Sequence, residues 1–165
     1  MVLKIIFGVT MVAFTTFCGY LFARKYRQRR QFCQQLKEFN ERYLSEISYA
    51  RRPIKTFISS YQYKGEFAEF LRKYFEILEL GEVNILPFDL KKEYAFLKEE
   101  DCQVVSDYFL MLGKGDSFSQ KGYFTSVKER IAAVTLSAEN TCKKYGDLYV
   151  KIGFLCGLLI LIIIL

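Results

Sequence analysis

Two apolar runs, one toward each end of the chain, constrain its fold more than any other feature. Residues 2–23 contain a single charged side chain, and residues 152–165 contain none. A helix needs about 20 predominantly apolar residues to cross the hydrocarbon core of a bilayer. The sequence therefore predicts transmembrane helices over residues 1–23 and 148–165, the second extended by the residues that precede its apolar run.

Positive charge lies on the inner side of both runs. The basic residues that follow the first run are Arg24, Lys25, Arg27, Arg29 and Arg30, and those that precede the second are Lys143, Lys144 and Lys151. Short flanks rich in Lys and Arg tend to remain in the cytoplasm. We therefore predict a two-span protein of the cell membrane, with residues 24–147 in the cytoplasm and both termini outside the cytosol.

A cleaved signal peptide is the alternative interpretation of the first run. Lys4 would supply its positive region, but the apolar stretch is longer than usual for a signal peptide and no A-x-A-like cleavage site follows it. The basic cluster after the run also opposes translocation. A retained membrane anchor is therefore favoured.

The membrane-proximal segment is strongly basic. Residues 24–55 carry ten basic and three acidic side chains. Anionic lipid attracts such a segment, so we predict that the five basic residues directly after the first run contact lipid headgroups. Nucleic-acid binding is the rival, and it is disfavoured because the cluster adjoins a membrane span.

The residue content argues against catalysis. The chain has no His, which is the commonest general base and the commonest neutral metal ligand. Its five cysteines form no C-x-x-C pair, which argues against a zinc site or a disulfide framework. Gly113-Lys114-Gly115 fails the phosphate-loop pattern, because Gly115 stands where Ser or Thr is required. We expect no enzyme activity, no metal and no cofactor.

The middle of the chain has a helical pattern throughout. Apolar residues recur every three or four positions in four series: Phe32, Leu36, Phe39, Tyr43, Ile47 and Ala50; Phe67, Phe70, Leu71, Tyr74 and Leu78; Val104, Val105, Tyr108 and Leu112; and Phe124, Val127, Ile131, Val134, Ala138, Cys142 and Tyr145. Such spacing marks one face of a helix, and no segment alternates in the way a strand requires. We predict an all-α fold, a bundle of about six helices flanked by the two transmembrane helices.

The predicted helices have defined limits. They run from the membrane to about residue 51, then over residues 53–61, 66–80, 87–98 and 99–112, and from about residue 117 into the second span. Gly81 is suited to end the helix over residues 66–80. Pro87 and Asp89 are suited to begin the helix over residues 87–98. Only Gly146 could interrupt the last helix, so both spans are predicted to continue bundle helices.

The best-marked local feature is the segment Gly113–Gln120. Gly113 can take the left-handed conformation that ends a helix, while Ser117 and Gln120 fit an S-x-x-Q capping box. Asp116 adds negative charge near the start of the last helix. This corner either serves the fold alone or also forms a docking surface, for which the candidate partner-binding residues are Gly113, Asp116 and Gln120.

A second glycine pattern lies in the terminal span. Gly153 and Gly157 form a G-x-x-x-G motif, which allows membrane helices to approach closely. Glycine is also common in such helices without pairing. If the motif packs, its first candidate partner is the other span, through Gly8 or Gly19, and other membrane subunits or a second copy of the chain are the alternatives.

Several segments together resemble one family. They are Thr15–Tyr20, Ala23–Tyr26, Leu44–Pro53, the corner from Leu112 to Gln120, and Lys144–Leu158. In order and spacing they resemble the stage III sporulation protein AB family of endospore-forming bacteria over the whole chain. Ile152-Gly153 replaces the usual Leu-Gly of the terminal segment.

The resemblance implies a helical domain similar to the cytoplasmic domains of inner-membrane platform proteins in type II secretion and type IV pilus systems. It also implies a place in the sporulation channel between mother cell and forespore. The implied partners are a stage III sporulation AA-type ATPase and other channel membrane subunits, with the domain in the mother-cell cytoplasm.

We therefore predict a non-enzymatic platform that couples this ATPase to the membrane complex. The alternatives are a platform subunit of a general type II secretion or type IV pilus-like system, and a membrane enzyme that uses carboxylate or thiol chemistry. The sequence leaves the oligomeric state open.

Overall fold

The computed structural model of the chain describes residues 2–49, 54–80, 89–112 and 117–164, which are mostly α-helical. The helices are α1 (Val2–Tyr49), α2 (Ile54–Ser59), α3 (Gly65–Leu80), α4 (Leu90–Glu93), α5 (Glu99–Met111), α6 (Ser117–Thr141) and α7 (Asp147–Ile164), with a π-helical turn over Cys142–Gly146 between the last two. These ranges contain no strand. The predicted all-α fold with an apolar helix toward each end is confirmed.

The chain divides into two compact units. One consists of Met1–Gln28 with Ala138–Leu165, and the other of Arg29–Ser137. We call the first the membrane-helix unit and the second the bundle unit. The predicted limits of the cytoplasmic domain, residues 24 and 147, do not coincide with these divisions, which fall after Gln28 and before Ala138. Arg24, Lys25 and Arg27 therefore belong to the membrane-helix unit, as do Lys143, Lys144 and Lys151, whereas Arg29 and Arg30 belong to the bundle unit.

Aromatic rings fill the core of the bundle unit. The predicted inward faces are buried at every position of this unit whose side chain is described, from Phe32 on α1 to Val134 on α6. Phe109, which the sequence analysis did not single out, lies among them, with its ring centroid 4.6 Å from that of Phe70 and 4.9 Å from that of Tyr74. Both pairs are edge-to-face, the geometry that the aromatic quadrupole favours.

The ends of the short helices follow from local chemistry. Asp89 caps α4 by accepting hydrogen bonds from the backbone N–H groups of Lys91 and Lys92. The predicted extension of this helix to residue 98 is wrong, because Tyr94 leaves the helical conformation (φ −115°, ψ 59°) and turns the chain. Gly65 has φ 61°, a left-handed conformation suited to glycine, between the predicted helices over residues 53–61 and 66–80. Gly81, Pro87 and Ala50 lie outside the described residues.

The two long helices differ in their continuity. α1 runs without a break from Val2 to Tyr49, as predicted. The last helix also continues into the second apolar run, but through the π-helical turn, whose final residue is Gly146. Gly146, the predicted helix breaker, therefore lies where the helix changes from π to α type, and the helix is not interrupted there.

Two buried tyrosines give a matched test of the core. Tyr74 donates its hydroxyl to the carbonyl oxygen of Phe109 at 3.0 Å, whereas the buried hydroxyl of Tyr108 has no hydrogen-bond partner among the described residues. We expect Tyr74→Phe to lower the free energy of unfolding by about 1 kcal/mol and Tyr108→Phe to raise it by a similar amount. Urea unfolding followed by circular dichroism measures both changes in the free energy of unfolding. Destabilisation by Tyr108→Phe would contradict the conclusion that the Tyr108 hydroxyl lacks a hydrogen bond.

Candidate functional site

Glycines bring α7 against α1 within the membrane-helix unit. A Cβ atom added at Gly153 would lie 2.5 Å from the carbonyl oxygen of Thr15. One added at Gly157 would lie 2.5 Å from Oγ1 of Thr15 and 2.7 Å from Cα of Val12. Since these distances are far shorter than van der Waals contact, the G-x-x-x-G motif allows an approach that no larger residue permits.

Glycines of α1 contribute to the same contact. A Cβ atom at Gly19 would lie 2.4 Å from the carbonyl oxygen of Tyr149, and one at Gly8 would lie 2.2 Å from Cδ1 of Leu161. Both glycines that the sequence offered as partners of the motif therefore face α7. As the residue number rises along α1 it falls along α7, so the two helices are antiparallel.

The outer surface of this helix pair is apolar. The exposed side chains include Ile6, Phe7, Phe14, Phe17, Phe154, Leu155, Leu159 and Ile163. Both helices are long and apolar enough to cross a membrane, and only 17% and 11% of their most apolar stretches is buried. The core helix of a soluble protein would be mostly buried. The hydroxyls of Thr10, Thr15 and Thr16 donate to carbonyls of their own helix, so they leave no unsatisfied donor in an apolar environment.

Tyrosine rings occupy the polar end of the helix pair. The ring of Tyr26 on α1 stacks on that of Tyr145, at a centroid distance of 5.7 Å, and on that of Tyr149, at 5.8 Å. Phe22 continues the cluster, 6.1 Å from Tyr149. Tyrosine is enriched where a membrane helix meets the headgroup region, because its ring is apolar and its hydroxyl is polar.

The five basic residues predicted to contact headgroups fall into different environments. Arg24, Lys25 and Arg30 are exposed. Arg27 is partly covered, with Nη2 3.8 Å from a carboxylate oxygen of Asp147 and its guanidinium over the ring of Tyr20. The headgroup prediction stays a prediction for the exposed residues.

The prediction is wrong for Arg29, whose side chain is only 3% exposed in the bundle unit. Its Nε donates to Asp101 at 2.6 Å, and its Nη2 donates to Asp101 at 2.9 Å and to the hydroxyl of Ser137 at 3.3 Å. Asp101 also accepts the backbone N–H of Lys98, which caps the start of α5. A buried guanidinium in a two-point ion pair cannot reach a headgroup, and it ties α1 to α5 and α6.

The electrostatics of this pair suit a permanent ion pair. Burial disfavours the charge on Arg29, but the hydrogen bond and the negative charge of Asp101 outweigh burial and raise the pKa of Arg29. Burial, with a smaller contribution from Asp101, raises the pKa of the neighbouring Cys33 thiol to about 12. Cys33 is therefore protonated at neutral pH, and a protonated thiol is a poor nucleophile.

The predicted docking corner is described only in part. Gly113 and Asp116 lie outside the described residues, as does the side chain of Ser117. Gln120 is partly buried, and its Oε1 accepts a hydrogen bond from the Tyr43 hydroxyl at 2.8 Å. Gln120 thus has at least one role within the bundle, and the docking role of the corner stays a prediction.

Comparison with known proteins identifies the family. The family model of stage III sporulation protein AB matches residues 4–165, nearly the whole chain. The chain belongs to the stage III sporulation protein AB family. The stage III sporulation protein AB of Bacillus subtilis (strain 168) is 26% identical over 172 residues, with 99% of each chain covered. No solved structure matches.

Family membership confirms the resemblance inferred from the sequence and is consistent with a role in sporulation. Within the described ranges of this family member, no group of three or more His, Cys, Asp or Glu side chains could hold a metal ion. Its most distinctive features are instead the glycine-packed helix pair, the tyrosine stack at the end of that pair, and the buried Arg29–Asp101 pair. The sequence suggests packing through these glycines as one of two alternatives, and it does not identify the tyrosine stack or the Arg29–Asp101 pair.

Proposed function

We propose that this stage III sporulation protein AB family member is a non-enzymatic membrane platform of the sporulation channel, which couples a cytosolic secretion-type ATPase to the membrane complex. The observation that carries the proposal is that one chain joins an aromatic-cored helical bundle to a pair of antiparallel, glycine-packed apolar helices. This arrangement suits a folded domain attached to a bilayer at both of its ends.

The side chains point to a structural role rather than to chemistry. The described ion pair with the deepest burial, Arg29–Asp101, joins three helices of the bundle, and the thiol beside it is protonated. A platform without its own chemistry needs a partner that supplies energy. We propose that this partner is a stage III sporulation AA-type ATPase, which requires the bundle to face the mother-cell cytoplasm and both termini to lie across the membrane.

Flotation of reconstituted vesicles tests this coupling. The full chain is placed in liposomes, mixed with the purified AA-type ATPase and centrifuged through a density gradient. We expect the ATPase to float with liposomes that contain the chain and to remain at the bottom with empty liposomes. If the ATPase fails to float with correctly oriented, folded chain, direct coupling is refuted.

One pair of charge reversals locates the contact. Asp116→Arg alters the predicted docking corner, while Glu129→Arg makes the same change at an exposed position further along α6. We expect Asp116→Arg to reduce flotation of the ATPase and Glu129→Arg to leave it unchanged. Equal flotation of the ATPase with both variants would rule out the corner as the docking surface. The platform proposal itself would still be decided by flotation with the wild-type chain.

A further inference from the structure

The antiparallel register of α1 and α7 brings cations from both sides of the helix pair to one level. Gly19 opposes Tyr149, and further from the apolar ends the ring of Tyr26 on α1 stacks on that of Tyr145 in the π-helical turn. The basic neighbours of these two tyrosines therefore lie at a similar level of the helix pair. The cations that meet in this way are Arg24, Lys25, Lys143 and Lys144, which we call the edge cations. The lipid contacts predicted from the sequence lie on the α1 side alone.

The edge cations are available for a ligand. All four side chains are exposed. Among the described residues, none of them has an acidic partner within 4.0 Å, and the carboxylate of Asp147 pairs with Arg27 instead. No described ion pair offsets their positive charge, so an anion beside them would be attracted.

The tyrosine stack lies close to a lysine from each side of the helix pair. Nζ of Lys25 lies 5.3 Å from the ring centroid of Tyr26, and Nζ of Lys144 lies 5.2 Å from that of Tyr145. The two rings stack on each other at 5.7 Å, so each of two stacked rings has an ammonium group near it, one from each side of the helix pair. These contacts place the two ammonium groups near the level where tyrosine meets headgroups.

The π-helical turn presents half of the edge cations. Its first and last residues, Cys142 and Gly146, are buried, whereas Lys143 and Lys144 are exposed. π-Helical turns are rare and occur frequently at functional sites. The departure from regular helix thus coincides with the cationic level of the helix pair.

We propose that the edge cations and the tyrosine stack bind the phosphate of an anionic phospholipid headgroup. Exposed apolar side chains, Phe22 at 60% and Leu148 at 42%, lie beside this level toward the apolar ends of the two helices. A phospholipid can pair its phosphate with the edge cations and pack its acyl chain against the exposed apolar side chains. A soluble phosphate can interact only with the cations. The site depends on membrane insertion of the helix pair and does not rest on coupling to an ATPase.

Electron paramagnetic resonance measures this preference directly. The full chain is reconstituted in phosphatidylcholine vesicles with spin-labelled phosphatidylglycerol or spin-labelled phosphatidylcholine, and the immobilised fraction of each lipid gives a relative association constant. We expect wild type to prefer phosphatidylglycerol, and Lys143→Gln/Lys144→Gln to reduce that preference at least about threefold. Arg24→Gln/Lys25→Gln should cause a similar loss.

Two controls distinguish a lipid-binding site at the edge cations from general electrostatic attraction to anionic lipid. Lys121→Gln/Lys128→Gln removes the same charge from exposed positions on α6 and should leave the preference unchanged. Sodium phosphate and sodium chloride at equal ionic strength should weaken the preference equally. The proposal is overturned if Lys143→Gln/Lys144→Gln keeps the wild-type preference, if the α6 control loses as much, or if phosphate alone displaces the labelled lipid.

Discussion

Arg29→Ala is expected to lower the free energy of unfolding by about 3–5 kcal/mol, the cost of removing one partner of a buried ion pair. The Asp101 carboxylate is 1% exposed and would lose both of its hydrogen bonds from the guanidinium. The N–H of Lys98 alone would then face a buried charge that water cannot reach. The three helices that meet at this point would lose their common polar contact.

The measurement is urea unfolding of the full chain in mild detergent, followed by circular dichroism. Asp107→Ala is the matched control, because Asp107 pairs with Arg130 at 3.2 Å with both side chains about half exposed, and such pairs contribute about 0–1 kcal/mol. Arg29→Met/Asp101→Leu should recover most of the lost stability, since it leaves no unpaired charge. If Arg29→Ala costs no more than Asp107→Ala, the pair is not an internal anchor of the bundle.

Gly153→Ala is expected to destabilise the helix pair by about 1–3 kcal/mol, as overpacking does elsewhere. The new methyl group would meet the backbone of α1, 2.5 Å from the carbonyl oxygen of Thr15. A backbone atom cannot rotate away as the end of a side chain can, so α7 must move. The lost contact is among those that hold the two apolar helices together.

Gly122→Ala provides a control with the opposite sign. No described atom lies within 4 Å of the methyl group that it adds on α6, and alanine favours an exposed helix by about 1 kcal/mol over glycine. Nitroxide labels attached through Ile6→Cys and Ile163→Cys, with the native cysteines replaced by alanine, report the separation of the two helices. We expect Gly153→Ala to lengthen or broaden that distance and Gly122→Ala to preserve it. An unchanged distance and stability for Gly153→Ala would contradict glycine-dependent packing.

Periodicity predicted the helices because each one buries a single face. The series that begins at Phe32 and the series that begins at Val104 are buried at each of their described positions, since residues that recur every three or four positions lie on one side of a helix. The close contact of Gly153 with α1 was also predictable, because G-x-x-x-G has a direct steric meaning. Local conformation was harder to predict, and Tyr94 leaves the helix early to place its ring in the core.

Arg29 shows where reasoning from neighbours in sequence fails. Its place in the run of basic residues predicts a headgroup contact, yet it lies three positions before Phe32 on the buried face of α1. Asp101 likewise lies three positions before Val104 on the buried face of α5. Both offsets were visible in the sequence and marked each residue as inward. Their pairing was not visible, because it joins residues 72 positions apart through tertiary packing.

The tyrosine stack and the π-helical turn are only weakly indicated by the sequence. Tyr26 and Tyr149 are ordinary residues for the edge of a membrane span, and only the antiparallel register of the two helices brings their rings together. Gly146 is a possible helix breaker by sequence, but one glycine does not distinguish an interruption of the helix from a π-helical turn. Both features depend on how two distant segments pack.

The side of the membrane on which the bundle unit lies decides whether this chain can serve a cytosolic ATPase. Cys102 is half-buried and burial raises its pKa, so an exposed position on α6 reports accessibility more clearly. The probe is Lys128→Cys in a chain whose native cysteines are replaced by alanine, with a second probe cysteine in a tag added after Leu165. A maleimide that cannot cross membranes should label the tag in intact cells and label Lys128→Cys only after permeabilisation. Labelling of Lys128→Cys in intact cells would place the bundle outside the cytosol and contradict the platform.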